Sequence, residues 1–398
     1  MIPRFRPEIG AAELAVLLRR HDGAVQRFEE AFADAFGARS AVAFPYGRSA
    51  LWAFLRSVGL EGANVAMPAY TCSVVAHAIV LSGNRPSFVD IRARDFSLDL
   101  DHLESALGAG TQAVVATHLF GYPLDLDRLE KIVAAGEARH GHKIWLIQDC
   151  AHAFGATWNG RLVGTSGDVA LYAFNISKTM TAIFGGMLTF SDASLADRVR
   201  AWRDRELHRP DFLKAWRRRL YLVAARIAFM EPVYGLTRWA QEHTPLLDRL
   251  TRSYHLDDRI EFPPGHLDRM LDVEAAVGLR QLQRYPAIVA AHRENAAWYD
   301  RNLVPPTGCV LPPIVDGATY SHYVVRVANR MSCVRRMATA GVEAGELIQY
   351  SVPELDSYAA YRVECPVALE ASRNTINLPM GRLDERRRMA VKRAFEAA

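Results

Sequence analysis

Asp149 and His152 stand in the stretch WLIQDCAHAFGA, and Lys178 stands 29 residues beyond Asp149 in YAFNISKTMTAIFGGML. A lysine set in so apolar a stretch either carries its charge out to solvent or serves as a neutral amine, a nucleophile or a base. Asp149 closes the apolar run Ile144, Trp145, Leu146 and Ile147, where a carboxylate is costly to bury unless a cation meets it. A protonated ring nitrogen would be such a cation. Each residue also has a plainer reading, Asp149 as a cap or loop carboxylate and His152 as a core histidine with its hydrogen bonds satisfied. Upstream, FPYGRSALWAFL places Gly47, Arg48 and Ser49 between an apolar run and an amphipathic helix. A glycine turn opening a helix offers backbone N–H groups and a positive helix end to a phosphate.

These residues need a frame. From Ala41 to Phe190, short apolar runs (AVAF, NVAMP, PSFVDI, QAVVATHLF, KIWLIQDC, VALYAF) alternate with helix-like segments. The alternation predicts an α/β domain with a mainly parallel sheet, whose ligands gather at the carboxyl ends of the strands. Asp149 and Lys178 both follow such runs. Residues 272–303 have helical spacing interrupted by Pro286, and YSHYVVRV and TINLPM then resume strand character. The expected organisation is a large domain over residues 1–199, an inserted basic helical segment over 200–264, and a helix with a smaller C-terminal α/β domain over 265–398.

Composition narrows the function. The chain has 398 residues, half of them hydrophobic, and a formal charge of +4, which makes no general case for nucleic acid or another polyanion. Cys72, Cys150, Cys309, Cys333 and Cys365 are odd in number, widely spaced and without a C-x-x-C pair, so a reducing, cytoplasmic setting is expected rather than a disulfide framework or zinc site. His140 and His142 have no companion cluster that would hold a metal. No stretch has the run of about 18 apolar residues of a membrane span.

The order of turn, aspartate with a histidine three residues on, and distant lysine resembles the DegT/DnrJ/EryC1/StrS family of pyridoxal 5'-phosphate (PLP)-dependent sugar aminotransferases. MPAYTCSVVAHAIVLSGNRPSFVDI, GTSGDVALYAFNISK and DRMLDVEAAVGLRQL are similar to that family's segments. The resemblance implies a PLP-dependent transferase of fold type I, with a mixed, mainly parallel sheet. It implies that Lys178 binds PLP covalently and moves protons, that Asp149 holds the pyridinium nitrogen, and that His152 lies beside the ring. Gly47, Arg48, Ser49, Cys72 and Asn175 would complete the cofactor site. The reaction implied takes an amino group from an amino-acid donor, glutamate by family habit, to the keto group of a nucleotide-activated sugar. A homodimer with shared active sites is also implied, Arg269 approaching the neighbouring cofactor.

The sequence departs from the family where Arg48 replaces a threonine, Ala173 a serine, Leu267 an asparagine, Cys72 an aromatic residue and Phe184 a glutamate. Arg48 could restore a charged grip on the phosphate. These changes leave room for a lipophilic or lipid-linked ketone or aldehyde as acceptor, or for a non-catalytic PLP-binding regulator. In the 200–264 segment, Leu213, Trp216, Leu220, Val223, Ile227 and Met230 form an apolar stripe, with Lys214, Arg217 and Arg218 facing away. Such a stripe packs on its own core or across a dimer, or lies on an anionic membrane surface over residues 213–230.

Overall fold

The computed structural model describes residues 1–243 and 259–398. Residues 244–258, part of the 200–264 segment, lie outside the described residues. Each apolar run of the first half becomes a strand: β1 (Ser40–Phe44), β2 (Asn64–Pro68), β3 (Arg85–Val89), β4 (Thr111–Thr117) and β5 (Trp145–Asp149). A small hairpin, β6 (Thr157–Trp158) and β7 (Arg161–Leu162), separates these from β8 (Val169–Ala173) and β9 (Gly186–Phe190). Seven strands make one sheet in the order β1-β9-β8-β5-β4-β2-β3. The pairs from β3 to β8 are parallel, and β9 runs antiparallel to both of its neighbours. Such strands read as unbroken apolar runs because helices cover both faces.

The helices are α1 (Ala11–Val16), α2 (Ala24–Ala35), α3 (Gly47–Ser57), α4 (Ser73–Leu81), α5 (Leu100–Ala106), α6 (Leu126–His140), α7 (Ala193–Glu206), α8 (Phe212–Ala228) and α9 (Glu231–His243). Side chains of β2 divide between the layers, Val65 and Met67 joining the α3 and α4 side and Ala66 the α5 and α6 side. Local chemistry sets the helix ends. The Asp125 carboxylate accepts from the Arg128 amide at the start of α6, and Gly141 closes that helix at φ 71°, a conformation favoured by glycine.

The C-terminal unit is a two-stranded antiparallel sheet, β10 (Tyr323–Arg326) with β11 (Thr375–Leu378), and its own helices. Its apolar residues belong to the same cluster as those of α3 and α4. Two sequence expectations change. The helix Asp272–Asn302 runs through Pro286 as one element. Burial of Tyr285, Ile288 and Val289 on either side offsets the amide hydrogen bond that proline removes. Residue 200, where a boundary was expected, lies inside α7, which continues to Glu206.

Candidate active site

The site forms where β4, β5 and β8 end together, with Thr117 opposite Asp149 and Asp149 opposite Leu171. Asp149 is buried. It accepts from the Thr117 hydroxyl at 3.3 Å and the Ala151 amide at 3.1 Å. Burial pushes its carboxyl above the ordinary range, while the Ala151 amide, the charge of Lys178 and Thr117 work the other way. Lys178 lies in the β8–β9 connection, which folds back on itself: the Lys178 amide bonds the Asn175 carbonyl at 3.0 Å, and Phe174 pairs with Gly185 and Ala182. Burial lowers the Lys178 pKa, and Cys72 and Asp149 oppose that shift. The structure therefore brings Lys178, Asp149 and Cys72 into one electrostatic neighbourhood. Cys72 is exposed at the start of α4.

His152 is held through its ring. Phe120, at φ 58°, donates its amide to His152 Nδ1 at 3.3 Å, so the neutral imidazole carries its proton on Nε2. Burial, then the nearby charges of Lys178 and His322, drive its pKa well down.

His322 was missed by sequence reasoning. Its ring centre lies 5.1 Å from that of His152, and burial, followed by the charge of Lys178, pushes its pKa down to about 3. The Thr319 amide bonds the Gly121 carbonyl at 3.0 Å, tying the approach to β10 to the end of β4. A β-carbon at Gly121 would stand 2.6 Å from Thr319 Oγ1, so this junction needs glycine. A histidine just before a strand was the only signal, and nothing local relates it to residues 170 positions upstream.

The glycine turn before α3 is closely packed. A β-carbon on Gly186 would meet the Tyr46 carbonyl at 2.5 Å, and one on Gly47 would meet the Ala173 methyl at 2.8 Å. Arg48 is buried in the first turn of α3. Ser49 Oγ already donates to the His266 carbonyl at 3.2 Å, and the Asn175 side-chain oxygen accepts from the Ser177 hydroxyl at 2.8 Å. Arg269 bonds the carbonyls of Leu207 and Asp204 at 3.2 and 2.6 Å within its own chain. Phe184 is spent on the inserted helix: its ring lies 5.0 Å from that of Tyr221 and 3.7 Å from the Arg218 guanidinium carbon.

Residues 18–387 match the DegT/DnrJ/EryC1/StrS aminotransferase family. The chain belongs to that family. Among curated members, it is 34% identical over 280 residues to the GDP-perosamine synthase of Escherichia coli O157:H7, covering 70% of this chain and 63% of that one. It is 28% identical over 359 residues to the dTDP-4-dehydro-2,3,6-trideoxy-D-glucose 4-aminotransferase of Saccharopolyspora spinosa, covering 89% of this chain and 83% of the other. The crystal structure of AtS13 from Actinomadura melliaura superposes with a TM-score of 0.80 at 28% identity, over 100% of this chain and 99% of that one. The DegT/DnrJ/EryC1/StrS chain described here is thus an aminotransferase with the fold of its relatives. Its residues fit PLP: an amine of lowered pKa beside a buried carboxylate, a neutral imidazole, and a helix start crowded by glycines.

Proposed function

We propose that this aminotransferase uses PLP to move an amino group from an amino-acid donor, by family habit glutamate, to the keto group of a nucleotide-activated sugar. The observation that supports the reading is that Lys178 and buried Asp149, at the strand ends, lie close enough to feel each other's charge. The nucleotide-linked sugars in the names of its relatives, GDP-perosamine for a synthase and dTDP-4-dehydro-2,3,6-trideoxy-D-glucose for an aminotransferase, support the acceptor class. When bound, PLP supplies an electron-withdrawing ring that stabilises negative charge at the donor's Cα.

The chain's residues do the rest. Lys178 Nζ would hold the cofactor and serve as the base for the proton on the donor's Cα; its lowered pKa raises the fraction of neutral amine available. The Asp149 carboxylate would keep the ring nitrogen protonated, a pairing that would offset the cost of burying the charge. His152 Nε2–H is the donor for an oxygen on the ring. The amide groups at the start of α3, with Gly47, Arg48 and Ser49, hold the phosphate, reinforced by the helix dipole. By resemblance to the family, Arg269 would approach the site of a second subunit in a homodimer.

The test is mass spectrometry of the purified protein after incubation with single amino acids. Glutamate should convert bound PLP to pyridoxamine phosphate, and the loaded enzyme should then aminate nucleotide-linked keto sugars. No conversion with any amino donor would remove the reading. Borohydride should fix the cofactor on Lys178, and attachment elsewhere would overturn the site.

A further inference from the structure

The amphipathic helix α8 is turned inside out. Two of its basic residues face the protein: Lys214 pairs with Asp268 at 2.6 Å, and Arg218 pairs with Glu274 at 2.9 Å and donates to the Tyr46 hydroxyl at 2.8 Å. The apolar stripe faces outward instead. Trp216 is 49% exposed, Leu220 64% and Ile227 50%, and Leu213, Val223 and Met230 are exposed beside them. The expectation that this stripe packs on its own core does not hold among the described residues. A helix of 17 residues is about 25 Å long, so one whole side of it presents hydrocarbon.

We propose that this outward face docks on an anionic lipid surface. Charge complementarity selects that occupant. Residues 212–230 contain no carboxylate; of their cations Lys214 and Arg218 are paired inward, Arg217 is exposed, and Arg219 and Arg226 are half-buried along the flanks. Anionic head groups attract such cations by about 1 kcal/mol each, and tryptophan suits the lipid–water boundary. A two-fold pairing of the same face with a second copy would set these cations against their counterparts, which is unfavourable. No described helix is long and apolar enough to cross a membrane, so the contact is peripheral, with the stripe entering the acyl boundary. The inner side of α8 touches Tyr46 and Phe184, so docking would hold the turn beside Gly47 close to the lipid surface. The inference rests on this surface and not on the proposed reaction.

The experiment is co-sedimentation of the full-length, PLP-loaded protein with vesicles of phosphatidylcholine, alone or mixed with phosphatidylglycerol. Binding to the mixed vesicles should weaken with added salt. Replacing Leu220→Glu and Ile227→Glu together should reduce it about 100-fold or more, and Arg217→Glu should reduce it about tenfold or more on anionic vesicles. These positions are exposed, and an unchanged melting temperature would show that the variants fold. Lys178→Ala should bind vesicles as the wild type does, which separates the docking from catalysis. A wild type that stays in solution with anionic vesicles at low salt overturns the proposal. So does a Leu220, Ile227 double variant that still sediments fully. Light scattering in which that double variant breaks an oligomer, with no vesicle binding by the wild type, would assign the face to a second copy.

Discussion

The Phe120 amide points at His152 Nδ1 from 3.3 Å, and the second imidazole, His322, stands with its ring centre 5.1 Å away. Burial keeps both rings neutral far below the ordinary histidine range. The donor half-reaction should therefore show no acid limb from either imidazole between about pH 5 and 8. His152→Gln, which keeps a side-chain N–H, should retain most PLP affinity, whereas His152→Leu should lose about tenfold. Equilibrium dialysis and a pH–rate profile check both expectations.

Asp149→Asn should still bind PLP but should slow the donor half-reaction by about 100-fold or more, because a neutral ring nitrogen withdraws electrons poorly. Single-turnover absorbance with glutamate measures it. A wild-type rate would remove Asp149 from the role.

Arg48 is buried at the start of α3, and its charge contributes to the lowering of the His77 pKa. If it grips the phosphate, Arg48→Ala should weaken PLP binding roughly 10- to 150-fold, the range of a charged hydrogen bond. Arg48→Thr should recover part of that loss, since Ala173 and Leu267 supply no side-chain donor. Unchanged affinity in the alanine variant would reassign the arginine.

Acid should destabilise this protein through its buried histidines. Burial holds His77 and His118 at about 4 and His322 at about 3, against about 6.5 in an unfolded chain. Between those values the unfolded chain binds more protons, so stability is full above about pH 6.5 and is lost as the pH falls through about 4. By pH 5 each histidine costs up to about 2 kcal/mol. His77 is fully buried, stacks on Tyr358 and has no hydrogen bond at either ring nitrogen among the described residues. His77→Phe should thus flatten the fall of melting temperature with acid. An unaltered pH dependence would exclude His77 as a contributor.

Arg218→Ala should destabilise the fold by about 3 to 5 kcal/mol, because it leaves the Glu274 carboxylate buried without its cation. The Glu274 side chain is 1% exposed. Replacing both partners, Arg218→Met with Glu274→Leu, should restore most of the loss, as urea titration would show.

Much of this was legible locally. The runs ending at Phe44, Pro68, Thr117 and Asp149 are strands because apolar residues of strand length end in turn-forming sequence, and a parallel sheet then carries Asp149 and Lys178 to one edge. The resemblance to the family added roles for both. His322 was not legible, because the Gly121 to Thr319 bond that delivers it spans nearly two hundred residues. Pro286 misled because a proline removes one hydrogen bond, while burial along the helix Asp272–Asn302 contributes more. The spacing in α8 fixed which residues share a face, but not which face turns inward. Either face of that helix can be buried, one by transfer of hydrocarbon from water and the other by charge pairing. Tertiary structure decided the contest by placing Asp268 and Glu274, more than fifty residues away, opposite Lys214 and Arg218.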